Sequence, residues 1–338
     1  MTRIGFVYDS RDEYLAAGYT ELQVAEFDTE DTLVQIESAL KRLGNQVERI
    51  GNGRKLAARL AEGARWDMIF SLAEGLKGRS REAQVPAVCE LFEQPYAFSD
   101  PLTMAVTLDK AVAKQLVRDS GIPTAPFVVM EQGKDSIRNW SHYPAFVKPL
   151  AEGTGKGCEH ASLVQNEKEL RAAATGLIHR FNQPALIEAY LPGREFTVGI
   201  IGNGMDARCI GIMEITVNKD SEAGVYSFNN KEFCETLVTY SRADDDEAKQ
   251  AGETALAAYR ALGCRDASRV DIKSDANNVP TFLEVNPLAG MHPSHSDLPM
   301  LALQNGISYD QLMSMILDAA RERLGLDLDT ADRIKASA

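Results

Sequence analysis

Two short segments near the C-terminal end constrain this chain most: Arg269-Val270-Asp271 and Leu283-Glu284-Val285-Asn286. They read as the two arms of a β-hairpin joined by the polar turn Asp275-Ala276-Asn277-Asn278. Side chains two apart share one face of a strand, which sets Glu284 beside Asn286 and Arg269 beside Asp271. A turn centred near Ala276-Asn277 would put Arg269 opposite Glu284, with all four groups on one face. Two carboxylates and an amide oxygen form a hard, oxygen-only donor set, the kind magnesium takes when it also holds nucleotide phosphates. The guanidinium could hold a carboxylate or a developing oxyanion. A surface ladder of salt bridges is the plainer reading of the same residues.

The rest of the chain limits what such a site can serve. With 338 residues there is room for two or three domains and a sizeable core. A net charge of -13 argues against general binding to nucleic acid or a membrane surface, since both partners are anionic. ATP remains open, because a few local lysines suffice for phosphates. Cys89, Cys158, Cys209, Cys234 and Cys264 form no C-x-x-C pair, so they read as free thiols rather than a zinc or disulfide framework. No apolar run is long enough for a transmembrane helix. The N-terminus reads as a strand rather than a signal peptide, so the cytoplasm is the expected location.

Along the first ~100 residues strand and helix signals alternate. Strands are expected at Ile4–Val7, Gln46–Ile50 and Met68–Leu72, and helices at Thr32–Leu43, Lys55–Ala61 and Gln84–Phe92. This βαβ rhythm implies a parallel sheet flanked by helices. A helix over Leu108–Ser120 should stop at Gly121, with Pro123 just beyond. Further strands are expected at Phe127–Met130, Ala145–Val147, Ala185–Tyr190, Glu195–Ile201, Cys209–Thr216, Arg269–Ile272 and Thr281–Val285. Further helices are expected at Glu167–Thr175, Asp246–Leu262 and Tyr309–Leu324. Cuts near residues 98 and 180 divide the chain into 1–97, 98–180 and 181–330.

Several other motifs could carry chemistry. Lys148 ends an apolar strand and precedes Glu152-Gly153-Thr154-Gly155-Lys156-Gly157, where backbone N–H groups could approach phosphate oxygens. It is neither a P-loop nor a dinucleotide fingerprint, and an ordinary flexible turn has the same composition. Glu188 and Glu195 flank a strand connection that includes Leu191. They could accept from an adenine amine and ribose hydroxyls, or be solvated turn carboxylates. Asp109, Lys110 and Lys114 share a helix, where a solvated charged face is the commoner arrangement. Gly290 could offer a backbone N–H to an oxyanion. His292 and His295, close to this site, read as polar loop residues rather than metal ligands.

Together these pieces resemble the D-alanine–D-alanine ligase branch of the ATP-grasp superfamily. The likeness runs from about residue 95 to the end. It is carried by Thr107-Leu108-Asp109-Lys110, Gly121-Ile122-Pro123-Thr124, Phe146-Val147-Lys148-Pro149, Gly193-Arg194-Glu195-Phe196-Thr197-Val198-Gly199, Arg269-Val270-Asp271 and Glu284-Val285-Asn286. The resemblance implies an α/β protein with an N-terminal parallel-sheet preATP-grasp domain and two lobes clasping ATP. It matches Lys110, Lys148 and Lys231 to phosphate-binding lysines, Thr154 to the middle of the glycine-rich loop, and Glu188, Leu191 and Glu195 to the adenine and ribose contacts. Asp271, Glu284 and Asn286 match magnesium ligands, with two ions expected and manganese an option. Arg269 and Gly290 match stabilisers of a tetrahedral state, and Ser296 a carboxylate-binding serine. A homodimer is implied by analogy.

Departures cluster where amino acids bind. In place of the family's N-terminal G-G-x-S-x-E-x-x-x-S stands Val7-Tyr8-Asp9-Ser10-Arg11-Asp12, and its L-H-G is matched by Leu72-Ala73-Glu74-Gly75 without the histidine. After Lys231 comes Glu232 where tyrosine is usual. The expected function is therefore an ATP-dependent carboxylate–amine ligase acting through an acyl-phosphate on small amino-acid or carboxylate substrates, with altered specificity. A genuine D-alanine–D-alanine ligase and a non-catalytic ATP-binding module are the alternatives. Glu232 suggests a substrate carrying positive charge.

Overall fold

The computed structural model describes residues 1–132, 137–153, 155–157, 162–217 and 238–326. Strands β1 (Arg3–Val7), β2 (Gln46–Gly51) and β3 (Met68–Ser71) form a parallel sheet in the order β2-β1-β3, as the alternating rhythm requires. Helices α1 (Arg11–Ala16), α2 (Glu30–Arg42) and α3 (Gly53–Ala61) intervene, and α4 (Gln84–Leu91) follows. Thr29 caps α2 by accepting from the Thr32 N–H, and Leu33, Ile36 and Leu40 form its buried stripe.

The helix expected over Leu108–Ser120 divides differently. Leu108 closes α5 (Pro101–Leu108), and α6 spans Lys110–Asp119. Asp109 between them is extended, and its carboxylate accepts from the Val112 N–H. A capping aspartate outweighs the continuous apolar spacing there. The helix expected to end at Thr175 continues as α7 (Glu167–Phe181), running through Gly176 to a left-handed Asn182.

Two antiparallel sheets carry the rest. One has the order β4-β7-β5-β6, from β4 (Phe127–Met130), β5 (Ala145–Pro149), β6 (Leu163–Val164) and β7 (Ala185–Ala189), so it continues past residue 180. The other has the order β10-β9-β8-β11-β12. Its strands are β8 (Glu195–Ile201), β9 (Arg208–Val217), β10 (Val238–Arg242), β11 (Ala267–Ser274) and β12 (Pro280–Asn286). Helix α8 (Asp246–Ala261) backs this sheet. Its buried Ala248, Ala251, Ala255 and Ala258 let it approach Val198, Val270, Ile272 and Phe282 closely. Helix α9 (Asp297–Gln304) precedes α10 (Tyr309–Leu324), whose Leu312, Met313, Ile316 and Leu317 join a core with Ile4, Phe6, Leu33 and Leu40. The chain thus returns to its first sheet. Cys89 and Cys264 are buried and Cys209 is half-buried; Cys158 and Cys234 lie outside the described residues.

The hairpin forms, but its register corrects the sequence expectation. Arg269 pairs with Asn286, and Asp271 with Glu284. Two features displace the pairing. The turn closes through Asp275 and Val279 with Asn278 at positive φ, and a bulge follows Asp271. The bulge adds a residue to one arm and shifts every pair beyond it.

Candidate active site

The strict alternation along β11 makes one face of the third sheet reactive. Val270, Ile272 and Ser274 are buried against the core, while Arg269, Asp271 and Lys273 are only half-buried. Arg269 donates from Nε and Nη2 to Asp271 at 3.1 and 3.0 Å, and its Nη1 lies 3.0 Å from Asp297. Burial alone would lower the arginine's pKa, yet Asp271 and Asp297 raise it. Thr197 on β8 donates a short hydrogen bond to Asp271. Asn286 donates from Nδ2 to Asp271 at 3.2 Å. Glu284 lies 3.4 Å from Lys110 Nζ.

The second sheet faces this one. Glu188 is buried between Lys114 at 2.6 Å and Lys148 at 2.7 Å. Burial would raise its pKa, but the two ammonium groups bring it down to about 2. Lys114 therefore corrects the solvated-face reading: it is completely buried, donates to Phe282 O at 3.2 Å, and has its pKa lowered by that burial despite Glu188. Neutralising a buried carboxylate overrides the exposed-face pattern because an unpaired buried charge costs several kcal/mol, roughly. Glu195 pairs with Lys273 at 2.8 Å. Burial lowers the pKa of Lys273, and Glu195 more than restores it.

Between the sheets lies a cleft of ≈ 970 Å³ lined by Lys110, Lys148, Glu188, Leu191, Glu195 and Asp271, with Phe146, Tyr190, Ile215 and Leu283 as apolar walls. A second space, ≈ 1190 Å³, adjoins it and shares Lys110, Glu152 and Glu284. Its walls include Arg269, Asn286, Gly290 and Ser296 on one side and Glu26, Glu74 and Glu82 on the other. A Cβ at Gly290 would stand 2.8 Å from Ser296 Oγ, so a larger residue there would have to displace that hydroxyl. Ser296 Oγ accepts from the His292 N–H at 2.9 Å, and His292 Nε2 lies 2.8 Å from Asp31. Burial raises the pKa of Glu74 well above the usual range and that of Glu82 to about 7, with each carboxyl adding to the other's shift or sharing a hydrogen bond with it.

Thus Lys110, Lys148, Glu188, Leu191, Glu195, Asp271 and Glu284 meet at one cleft, and Arg269, Asn286, Gly290 and Ser296 at its neighbour. Thr154, Lys231 and Glu232 lie outside the described residues. Sequence reasoning passed over Lys273, Asp297, Thr197, Glu26 and Arg81. Lys273 had a signal, because it continues the spacing of Arg269 and Asp271 along β11. Thr197 and Asp297 stand two and one residues after the expected Glu195 and Ser296, whereas Glu26 and Arg81 come from remote segments and had no signal. Among the described residues no three His, Cys, Asp or Glu side chains converge as a cation site. The hairpin trio has two acids and an amide, and its all-oxygen donor chemistry fits magnesium.

Two antiparallel sheets enclosing a cleft, with Lys148 and Glu188 on one and Asp271, Lys273 and Glu284 on the other, are the arrangement of an ATP-grasp protein, a class in which two lobes clasp a nucleotide. Residues 116–318 match the family model described as D-ala D-ala ligase C-terminus. The chain belongs to the D-alanine–D-alanine ligase family. It is 34% identical over 259 residues to the uncharacterized protein y4sG of Sinorhizobium fredii, covering 76% of this chain and 75% of that one. It is 31% identical over 290 residues to the D-alanine–D-alanine ligase of Bordetella petrii, covering 84% and 85%. The D-alanine–D-alanine ligase of Bacillus anthracis complexed with ATP superposes with a TM-score of 0.73 at 21% identity, covering 95% of this chain and 98% of that one. The expected α/β fold, with its parallel-sheet first domain and ATP-grasp lobes, is the fold found.

Proposed function

We propose that this chain is an ATP-dependent carboxylate–amine ligase whose amino-acid substrate carries positive charge beyond that of alanine. The observation that carries the ligase reading is the meeting of Asp271, Glu284 and Lys110 from one side with Lys148 from the other at a single cleft. Magnesium held by Asp271, Glu284 and Asn286 would offset phosphate charge; two ions are the expected number, and manganese could replace them. Lys110 and Lys148 would hold the phosphates, Phe146 and Leu191 the adenine, and Glu195 the ribose. Thr154 and Lys231 belong to the same proposed phosphate set. Glu188 serves by fixing Lys148 in place, with oxygen capacity left for an adenine amine.

A free carboxylate is a poor acyl donor because its leaving group would be an oxide. Transfer of the terminal phosphoryl group of ATP to a carboxylate oxygen gives an acyl-phosphate and ADP. An amine then attacks the carbonyl carbon and phosphate leaves, carrying the bridging oxygen. Arg269 and the Gly290 N–H would stabilise the tetrahedral oxyanion, and Ser296 would hold a substrate carboxylate; a donor of this type contributes roughly 100-fold or more in rate. No protein nucleophile is required.

Substrate choice follows from the opposite wall. Burial raises the pKa of Glu74 and Glu82 although Arg81 opposes the rise at both and Lys110 at Glu82, so an ammonium entering there would favour their charged forms. Glu232 is proposed as a further contact to that charge. The enzyme is read as cytoplasmic; among the described residues no helix is long and apolar enough to cross a membrane. The homodimer reading rests on family likeness alone. An ADP-release screen over paired amino acids, with mass spectrometry of the amide, tests the function. Turnover with basic amino acids above that with alanine is expected. Turnover with D-alanine alone on both sides would return the chain to D-alanine ligase specificity, and ATP binding without any ADP release would make it a binding module.

A further inference from the structure

Ser296 is turned away from the role its position predicts. It stands at the N-cap of α9, where a serine oxygen ordinarily accepts from an amide of the first helical turn. It makes no such bond. Its Oγ accepts instead from the His292 N–H at 2.9 Å, and its own N–H donates to His292 O at 3.1 Å. The imidazole of His292 holds this turn in place. Its Nδ1 accepts from the Ser294 N–H at 3.3 Å, and its Nε2 lies 2.8 Å from Asp31 on α2 of the first domain. A backbone N–H can only donate, so Nδ1 presents a lone pair and Nε2 carries the proton that goes to Asp31. The hydrogen bond holds the Asp31 pKa below its ordinary value. The His292 side chain is 14% exposed, and the His295 ring packs against it with centroids 4.6 Å apart.

A hydroxyl has one proton to give. The Ser296 oxygen is occupied by the His292 N–H, and among the described residues nothing accepts the Ser296 proton. Ser296 lines the second cavity, so that proton is available there. We infer that His292, anchored by Asp31, is a positioning residue for Ser296. The anchored ring fixes the His292 N–H, and that N–H draws the serine oxygen off the α9 cap. The hydroxyl proton is thereby left for a substrate carboxylate in the second cavity. The inference rests on the reading above that Ser296 holds such a carboxylate. It makes α2 of the first domain a support of the amino-acid site, while the His292 ring itself touches no substrate.

The test compares His292→Ala and Asp31→Ala with two controls. His292→Gln keeps an amide that can donate to Asp31, and Arg42→Gln removes a different exposed pair of α2, with Asp310. Two readouts are taken: hydrogen exchange of the residue 292 amide without substrate, and KM for the amino-acid substrate against kcat and KM for ATP. Both alanine variants should exchange faster and raise the amino-acid KM about tenfold, as loss of a charge-assisted hydrogen bond predicts, with KM for ATP unchanged. His292→Gln should recover most of the loss, and Arg42→Gln should match the parent protein. Added to Ser296→Ala, His292→Ala should raise the amino-acid KM by no more than about twofold, because both changes remove one interaction. Parent-like exchange in both alanine variants, an unchanged amino-acid KM, or a full tenfold added to Ser296→Ala would overturn the inference. Exchange needs no turnover. Should the parent release no ADP with any substrate pair, the ligase reading falls, and the exchange rates decide by themselves whether the ring holds the serine. Should His292→Ala not fold, the exposed Asp31→Ala carries the same test.

Discussion

The two adjoining cavities treat charge in opposite ways. In the nucleotide cleft each carboxylate has a cation of the protein within reach: Glu188 has Lys114 and Lys148, Glu195 has Lys273, and Asp271 has Arg269. Across the second cavity Glu26 and Asp297 are likewise paired, with Arg81 and Arg269, but at Glu74 and Glu82 burial outweighs the pull of Arg81 and drives their pKa values up. The first arrangement is pre-organised, so that on the proposed reading phosphates and a divalent ion would exchange partners with groups already in place. In the second, burial of Glu74 and Glu82 is only partly offset by the protein, and on the proposed reading an ammonium group would offset the rest.

The contrast can be broken most sharply at the hairpin. Asp271→Asn should reduce ADP release by roughly 100-fold or more, because it removes a proposed cation ligand and unsettles Arg269. Steady-state assays at saturating ATP would read this. Next in size is Lys114→Met. Glu188 is then left in a buried site with Lys148 as its one close ammonium, and denaturant unfolding should show a loss of about 3 kcal/mol.

The second cavity should respond with the opposite sign. A carboxyl whose folded pKa is raised binds its proton more tightly in the native state. Stability therefore falls as pH rises from the unfolded value of 4.5 towards about 7, and the loss is complete above it. Glu82→Gln removes that penalty. Its melting temperature should exceed the parent's at pH 8 by roughly 2 °C and equal it at pH 4, while binding of a basic amino acid weakens. A variant less stable at pH 8 would contradict the contrast. At the small end, Arg42→Gln should leave the unfolding midpoint unchanged, since that pair is exposed.

Much of this was legible in the sequence where chemistry and local pattern coincide. The βαβ rhythm specified the parallel sheet, and strand periodicity put Glu284 beside Asn286 and Arg269 beside Asp271. What lay hidden depends on contacts across long separations. Lys114 reads as a surface lysine until Glu188, from a different element, fills its site. Glu26 meets Arg81 and Gly153 across many residues, and no local spacing signals that. The register slipped because a bulge after Asp271 has no compositional mark. Asp109 hid a helix boundary for a related reason, since capping competes with apolar spacing that continues on both sides.

The central claim is that a carboxylate is made reactive as an acyl-phosphate in the cleft between the sheets. Supplying the acid substrate with heavy oxygen in its carboxylate and following the label tests it directly. One labelled oxygen should appear in the released inorganic phosphate for each amide formed. Phosphate free of label, with amide still produced, would contradict the account.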